Sequence, residues 1–181
     1  MKKWKLIFVL LLLPIVCICQ VTLSTDEVDE FEGTIKKFTN MSKNVFKGEK
    51  TLGTLYMGVA RVDSVYFLTF LVAEDLGCLS QYDGKCMIKL TDGTIIECLQ
   101  VSDTDCSSTI TSAQYLAAKR DEAEMPDVMD IIKDNNSKLS TIPIEKIRIY
   151  GSESYNDYIP HPKFKDFPAD QVLILHFQAV E

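Results

Sequence analysis

Histidine is scarce in this chain. There are two, His161 and His176, among 181 residues. Acid–base or triad catalysis would need one of them beside a nucleophile and an orienting acid. No GxSxG elbow, HExxH pair or phosphate-cradling glycine loop accompanies them. His161 sits between prolines in Ile159-Pro-His-Pro162, which reads as an exposed loop. His176 sits in an apolar closing segment, which reads as a packing residue. No catalytic residue, metal ligand or cofactor is expected. The cysteines include no CxxC pair and have no histidine nearby, which argues against zinc. Asp103 and Asp105 could open a calcium loop, but Ser108 stands where glycine is needed and Gln114 where a glutamate is needed. Basic residues are also in the minority, 19 against 26 acidic ones, for a net charge of −7. That argues against nucleic acid and anionic membranes as partners and suits a basic protein partner.

No apolar run is long enough to span a bilayer. The longest, Leu6 to Cys19, falls short of the ~20 residues a transmembrane helix needs and is interrupted by Pro14. With Lys2, Lys3 and Lys5 before it, residues 1–19 read as a secretory signal peptide. The chain is therefore expected to be exported, periplasmic or secreted. Val16 and Ile18 precede Cys17 and Cys19 where a lipid-attachment site would want a small residue, so lipoprotein anchoring is the weaker alternative. Residues 20–181 suit one domain.

Four cysteines remain after the leader, Cys78, Cys86, Cys98 and Cys106, an even number in an exported chain. The surrounding stretch, Tyr66 to Gln100, carries the most hydrophobic run and the clearest turn. A three-residue loop in Thr91-Asp92-Gly93-Thr94, with Gly93 left-handed, puts Cys86, Ile88, Leu90, Ile96 and Cys98 on one face. A two-residue loop would mix apolar and charged residues on both faces, so the three-residue register is favoured. It sets Cys86 opposite Cys98. Cys78 and Cys106 are symmetric about the same turn, so two nested bridges fit one ladder. Ser80, Asp83 and Gly84 are expected to break the first strand, which leaves the inner pair, Cys86–Cys98, as the bridge the hairpin itself supports.

Elsewhere, Phe31–Phe38, Leu52–Val62, Val65–Ala73 and Pro143–Tyr150 read as strands. Val65–Ala73, nearly all apolar, is expected at the sheet centre paired with Leu52–Val62. Residues 20–27 and 40–50 read as loose and polar. Thr111 and Gln114 form a capping-box pattern, predicting a helix from Thr111 to about Ala123. Pro126 opens a second helix that Asn135-Asn136 ends, and Pro168 and Asp170 favour a third over Val172–Val180. The fold class expected is α+β: a mainly antiparallel sheet with two or three short helices.

The leader, Asp29-Glu30-Phe31-Glu32-Gly33, Val65-Tyr66-Phe67-Leu68, the hairpin Ile88–Gly93 and Pro143–Tyr150 together resemble a loose group of small uncharacterised secreted bacterial proteins. That resemblance implies no activity and carries over no site residue. The stretch Ser152–Phe167 reads as a long surface loop and the best binding candidate. Its Tyr155, Tyr158, His161, Phe164 and Phe167 are of the type enriched at interfaces, unless they pack back onto the sheet. The function expected is a non-enzymatic protein-binding module, such as an inhibitor or immunity protein in the cell envelope. A small secreted hydrolase is the alternative.

Overall fold

A computed structural model describes residues 21–164 and 167–181. The expected leader and its cleavage site lie outside the described residues. Among the described residues ten strands form: β1 (Leu23–Val28), β2 (Ile35–Thr39), β3 (Ser42–Gly48), β4 (Thr54–Val62), β5 (Val65–Ala73), β6 (Lys85–Leu90), β7 (Ile95–Gln100), β8 (Thr111–Leu116), β9 (Ile144–Tyr150) and β10 (Tyr155–Pro160). Two helices join them, α1 (Val128–Leu139) and α2 (Val172–Val180). All pairings are antiparallel, in the order β4-β3-β10-β9-β6-β7-β8-β5, and β5 pairs back with β4. The sheet is therefore a closed eight-stranded barrel, with β1 and β2 added alongside β4.

This corrects the α+β expectation. Of the described residues, 43% are strand and 17% helix, which makes the fold mainly β. The difference lies in four segments. Thr111–Leu116 is strand β8 and not a helix, because Thr111, Ala113 and Tyr115 all point inward with period two and pair with β5 from Val72 to Leu68. Tertiary pairing overrides the local capping-box preference. Residues 42–48 form β3, and Tyr155–Pro160, read as loop, is the β10 that closes the barrel between β3 and β9. Residues 23–28, read as loose, pair with β2.

The β2–β3 segment behaves as one bent strand along a single edge of β4. β2 pairs with Ala60–Val62, and β3 pairs with Thr54–Met57. The register slips between Ser42 and Phe46, where Asn44 takes φ 55°. At the bend the Thr39 hydroxyl fills the ladder by bonding both the N–H and the C=O of Val59, at 2.9 and 3.1 Å.

Alternation along each strand fills the interior, which in an eight-stranded barrel is just wide enough for side chains. Leu55, Met57 and Val59 of β4 meet Val72, Phe70 and Leu68 of β5, and all six are buried. The β5 run is therefore buried on its inward face, while its outward residues are only half covered. Ile88, Ile96, Ile147, Ile149, Tyr115 and Tyr158 complete the core. α2 lies across the mouth where β4 turns into β5. Its Val172, Leu173, Phe177 and Val180 join the core, with the Phe177 ring 5.2 Å from that of Tyr66. Leu139 of α1 is buried in the same core, and Asn135 Nδ2 of that helix donates to Ala117 O at 2.8 Å.

The β6–β7 hairpin has the expected register, with Ile88 opposite Ile96, Cys86 opposite Cys98, and Gly93 at φ 90°. The bridge, however, is the outer one. Cys78 and Cys106 are bonded, while Cys86 and Cys98 are buried free thiols. Strand parity accounts for the choice. Leu90 N–H donates to Thr94 O and Gln100 N–H to Gly84 O, so by alternation Cys86 and Cys98 form a hydrogen-bonded pair. Such pairs keep their side chains farther apart than non-hydrogen-bonded pairs do. Leu79 and Asp105 exchange both of their bonds, so the adjacent Cys78 and Cys106 are a non-hydrogen-bonded pair, at 4.0 Å between Cα atoms. The break at Ser80–Gly84 shifts the parity by one.

Alkylation of denatured, unreduced protein is expected to label Cys86 and Cys98 and to spare Cys78 and Cys106, as read by peptide mapping. The double change Cys78→Ser with Cys106→Ser should cost about 3 kcal/mol in urea titration. Labelling of Cys78 and Cys106 in unreduced protein would contradict the assignment.

Candidate functional site

The five aromatic-type residues expected to form a binding loop do not form one surface. Tyr155 and Tyr158 lie three apart on a strand, so β10 sends them to opposite faces. Tyr155 is outside and exposed, whereas Tyr158 is fully buried. Inside, the Tyr158 hydroxyl donates to Glu74 Oε2 at 2.9 Å, and Asn156 Nδ2 donates to the same oxygen at 2.6 Å. Burial, with the Glu74 carboxylate beside it, pushes the Tyr158 phenol well up, so it stays a hydrogen-bond donor. Beyond the strand, His161 is held in a turn. Its N–H donates to Val45 O, and its Nδ1 accepts the Lys163 N–H at 3.1 Å. Phe164 and Phe167 meet edge to face at 4.9 Å and pack against the core.

Tyr155 instead belongs to a cross-strand cluster on the outer barrel wall. Its ring lies 5.6 Å from that of Tyr150, and the Arg148 guanidinium covers it at 4.4 Å. Arg148 also grips Asp157 with two bonds, at 2.6 and 2.8 Å. That pairing holds the Asp157 carboxyl below the usual range and Arg148 above its own. The cations here are satisfied by neighbours on the same wall, so this cluster works as a fastener between β9 and β10.

Two arrangements were not foreseen from the sequence. The first centres on His176, which is fully buried in α2. Its Nδ1 lies 2.7 Å from Thr39 Oγ1 and its Nε2 lies 2.9 Å from Ser42 Oγ. One proton assignment satisfies every group: Nδ1–H donates to Thr39, the Thr39 hydroxyl donates to Val59 O, and the Ser42 hydroxyl donates to Nε2. Burial pushes the imidazole down to about 4, so the ring is neutral at neutral pH. The array contains a serine and a base, but the orienting group is a hydroxyl and not the carboxylate that would stabilise an imidazolium. Its evident effect is to pin α2 to the β2–β3 bend.

The second is the tip of the β1–β2 hairpin. Phe31 is 99% exposed there, flanked by Val28 at 62% and Ile35 at 37%. The turn is nonetheless built tightly. Asp29 Oδ1 accepts the N–H groups of Phe31 and Glu32 at 2.9 and 3.0 Å. Asp29 N–H donates to Thr34 O, and Gly33, at φ 69°, donates to Asp29 O. The N–H groups of Glu32 and Phe31 hold the Asp29 carboxyl below its ordinary range. At the base, Ile35 N–H donates to Asp63 Oδ1 at 2.8 Å and Asp63 N–H donates to Ile35 O at 2.8 Å, which ties the hairpin to the β4–β5 turn. Glu27, Glu30 and Glu32 ring the apolar tip and are exposed. Phe31 reads, from the sequence, as the start of a first strand. The signal that places it in a turn is Asp29 two residues before it and Gly33 two after, an Asx-turn followed by a left-handed glycine.

Among the described residues, no group of three or more His, Cys, Asp or Glu side chains is placed to hold a metal ion, and no helix is long and apolar enough to cross a membrane. No known protein family, curated protein or solved structure matches the chain.

Proposed function

We propose that this protein is an exported binding module of the inhibitor or immunity type, and that it engages a basic protein through the tip of the β1–β2 hairpin. The observation that carries the reading is Phe31, a fully exposed aromatic ring on a turn fixed by two backbone–backbone hydrogen bonds and two more to the Asp29 carboxylate. A large apolar side chain left in water contributes nothing to the fold. It has, however, already lost the backbone freedom that binding would otherwise take from it. Aromatic anchors of this kind dominate binding energy when a partner pocket encloses them.

The surrounding carboxylates specify the partner. Lys36 and Lys37 stand opposite Glu27 and Asp26 in the ladder, and Lys36 pairs with Asp29 at 3.7 Å, but Glu30 and Glu32 at the tip have no ion-pair partner among the described residues. A partner with an apolar pocket rimmed by Lys or Arg would match this tip and be steered to it by charge. The disulfide suits an oxidising compartment. Co-purification of tagged protein from the envelope fraction tests the reading. A stoichiometric basic partner is expected, lost when Phe31 is replaced. Absence of such a partner under low salt would overturn it.

The hydrolase reading rests on the 2.9 Å contact between Ser42 and His176. With the ring fully buried and no carboxylate behind it, Ser42 is expected to resist a fluorophosphonate probe. Stoichiometric labelling of Ser42, absent after denaturation, would favour the enzyme.

A further inference from the structure

The barrel is closed, but the hairpin attached to it has an open edge. β1 pairs with β2 on one side, and no element among the described residues pairs with its other side. Parity decides which backbone groups that leaves free. Asp29 N–H donates to Thr34 O, so Asp29 and Thr34 are a hydrogen-bonded pair. By alternation Glu27 with Lys36 and Thr25 with Phe38 are hydrogen-bonded pairs too, whereas Asp26 with Lys37 and Val28 with Ile35 are not. The far side of β2 agrees, because the backbone N–H and C=O of Ile35 are taken by Asp63, away from β1. The N–H and C=O of both Asp26 and Val28 therefore point outward, and both residues are exposed.

Charge decides what fits this edge. From Leu23 to Thr39 the hairpin carries five carboxylates, Asp26, Glu27, Asp29, Glu30 and Glu32, against two lysines. Lys36 is engaged with Asp29, and neither Asp26 nor Glu27 has an ion-pair partner among the described residues. Charged residues guard an open edge against unwanted pairing, and here they exclude a second copy of the chain. Each antiparallel register that pairs Asp26 and Val28 with themselves or with each other sets carboxylate on carboxylate: Asp26 on Asp26, Glu27 on Glu27, or Glu27 on Asp29. Like charges directly opposite destabilise a ladder. A strand carrying Lys or Arg at these places meets the opposite condition.

We infer that a basic partner adds an extended segment to β1 as a further antiparallel strand. An apolar residue stands opposite Val28, and Lys or Arg stands opposite Glu27 and Asp26. This rests on the reading of the hairpin as the docking site for a basic protein, and it names the form in which that partner arrives. Carried past Val28, the same strand runs beside Asp29 and Glu30 toward Phe31, so backbone pairing and aromatic anchor belong to one interface.

The test is an amide-resolved NMR titration of the protein at low salt with acetyl-Lys-Val-Lys-Arg-Thr-amide. Its Val, second Lys and Arg are designed to face Val28, Glu27 and Asp26. In the free protein the amides of Asp26 and Val28 should exchange quickly with solvent and those of Thr25 and Glu27 slowly. With peptide at about ten times its Kd, exchange at Asp26 and Val28 should slow about tenfold. Two N-methylated peptides separate strand addition from charge attraction alone. Methylation at Val and Arg removes the donors that face β1 and should abolish binding. Methylation at the second Lys, whose N–H faces away, should leave binding within about twofold. Val28→Pro removes an outward donor and no hairpin bond, so it should keep the melting temperature and weaken the peptide about tenfold. Equal binding of the two methylated peptides, full binding by Val28→Pro, or no shift at millimolar peptide would each overturn strand addition. Phe31 as an anchor is decided separately, by whether Phe31→Ala loses the co-purified partner.

Discussion

Phe31→Ala is expected to weaken partner binding at least thirtyfold and to leave thermal stability unchanged. The two halves of this result have separate causes. The ring is 99% exposed, so the fold buries none of it and loses nothing when it is truncated. A central aromatic anchor enclosed by a partner is typically worth about 2–4 kcal/mol, and 2 kcal/mol corresponds to roughly thirtyfold in affinity. The turn does not need the ring either. Asp29 bonds the backbone N–H of residue 31, whatever its side chain. Leu52, fully exposed in the loop between β3 and β4, is the matched control, and Leu52→Ala should change neither quantity. Reversing charge at Glu30 and Glu32 should act differently. It should slow association most at low ionic strength, where screening is weakest, and affect dissociation little. Affinity and melting temperature measured together on these variants separate an anchor from a structural residue. An equal loss from Leu52→Ala would refute the site.

Acidification gives the second large effect. The folded environment holds His176 down to about 4, with burial as the cause, while in the unfolded chain it titrates near 6.5. The unfolded state therefore takes up a proton first. Stability is complete above about pH 6.5, falls as the pH drops toward 4, and falls no further on account of this group below that. The difference of some 2.5 units corresponds to roughly 3 kcal/mol, a sizeable part of the 5–15 kcal/mol that holds a typical domain. Protonation also breaks the array, since Nε2–H can no longer accept from Ser42 Oγ at 2.9 Å. The depressed carboxyl of Asp157, lowered first by its bonds to Arg148, adds a further loss only at lower pH. Urea titrations at pH 7, 5.5 and 4 should show the slope in the native chain. His176→Gln, less stable at pH 7, should be nearly flat over the same range. A native chain as flat as the variant would show that His176 does not titrate as described.

Those parts of the fold set by local pattern were legible in the sequence. The β6–β7 register follows from segregating Ile88 and Ile96 from Lys89 and Glu97, and β4 pairs with β5 across the two-residue turn at Asp63-Ser64. What was not legible depends on distant partners. Nothing near Thr111 reveals that β5 and β7 await it, and its capping-box neighbours point the other way. Closure requires β10 to pair with β3, more than a hundred residues earlier, and both strands disguise themselves. β10 turns a polar residue, Asn156, inward because Glu74 and Thr51 wait there. β3 contains a left-handed Asn44. The cysteines show the same division. Their shared symmetry was readable, but the parity shift at Ser80–Gly84, which decides the bonded pair, was not. For the site, Tyr155 and Tyr158 were read as one loop surface, and a strand period of two separates them.

The most direct measurement is photo-crosslinking in the envelope, with a benzophenone side chain placed at position 31 or at position 52. One adduct with a single basic protein is expected from position 31, suppressed by high salt, and none from position 52. No adduct from position 31, or the same adducts from both positions, would contradict it.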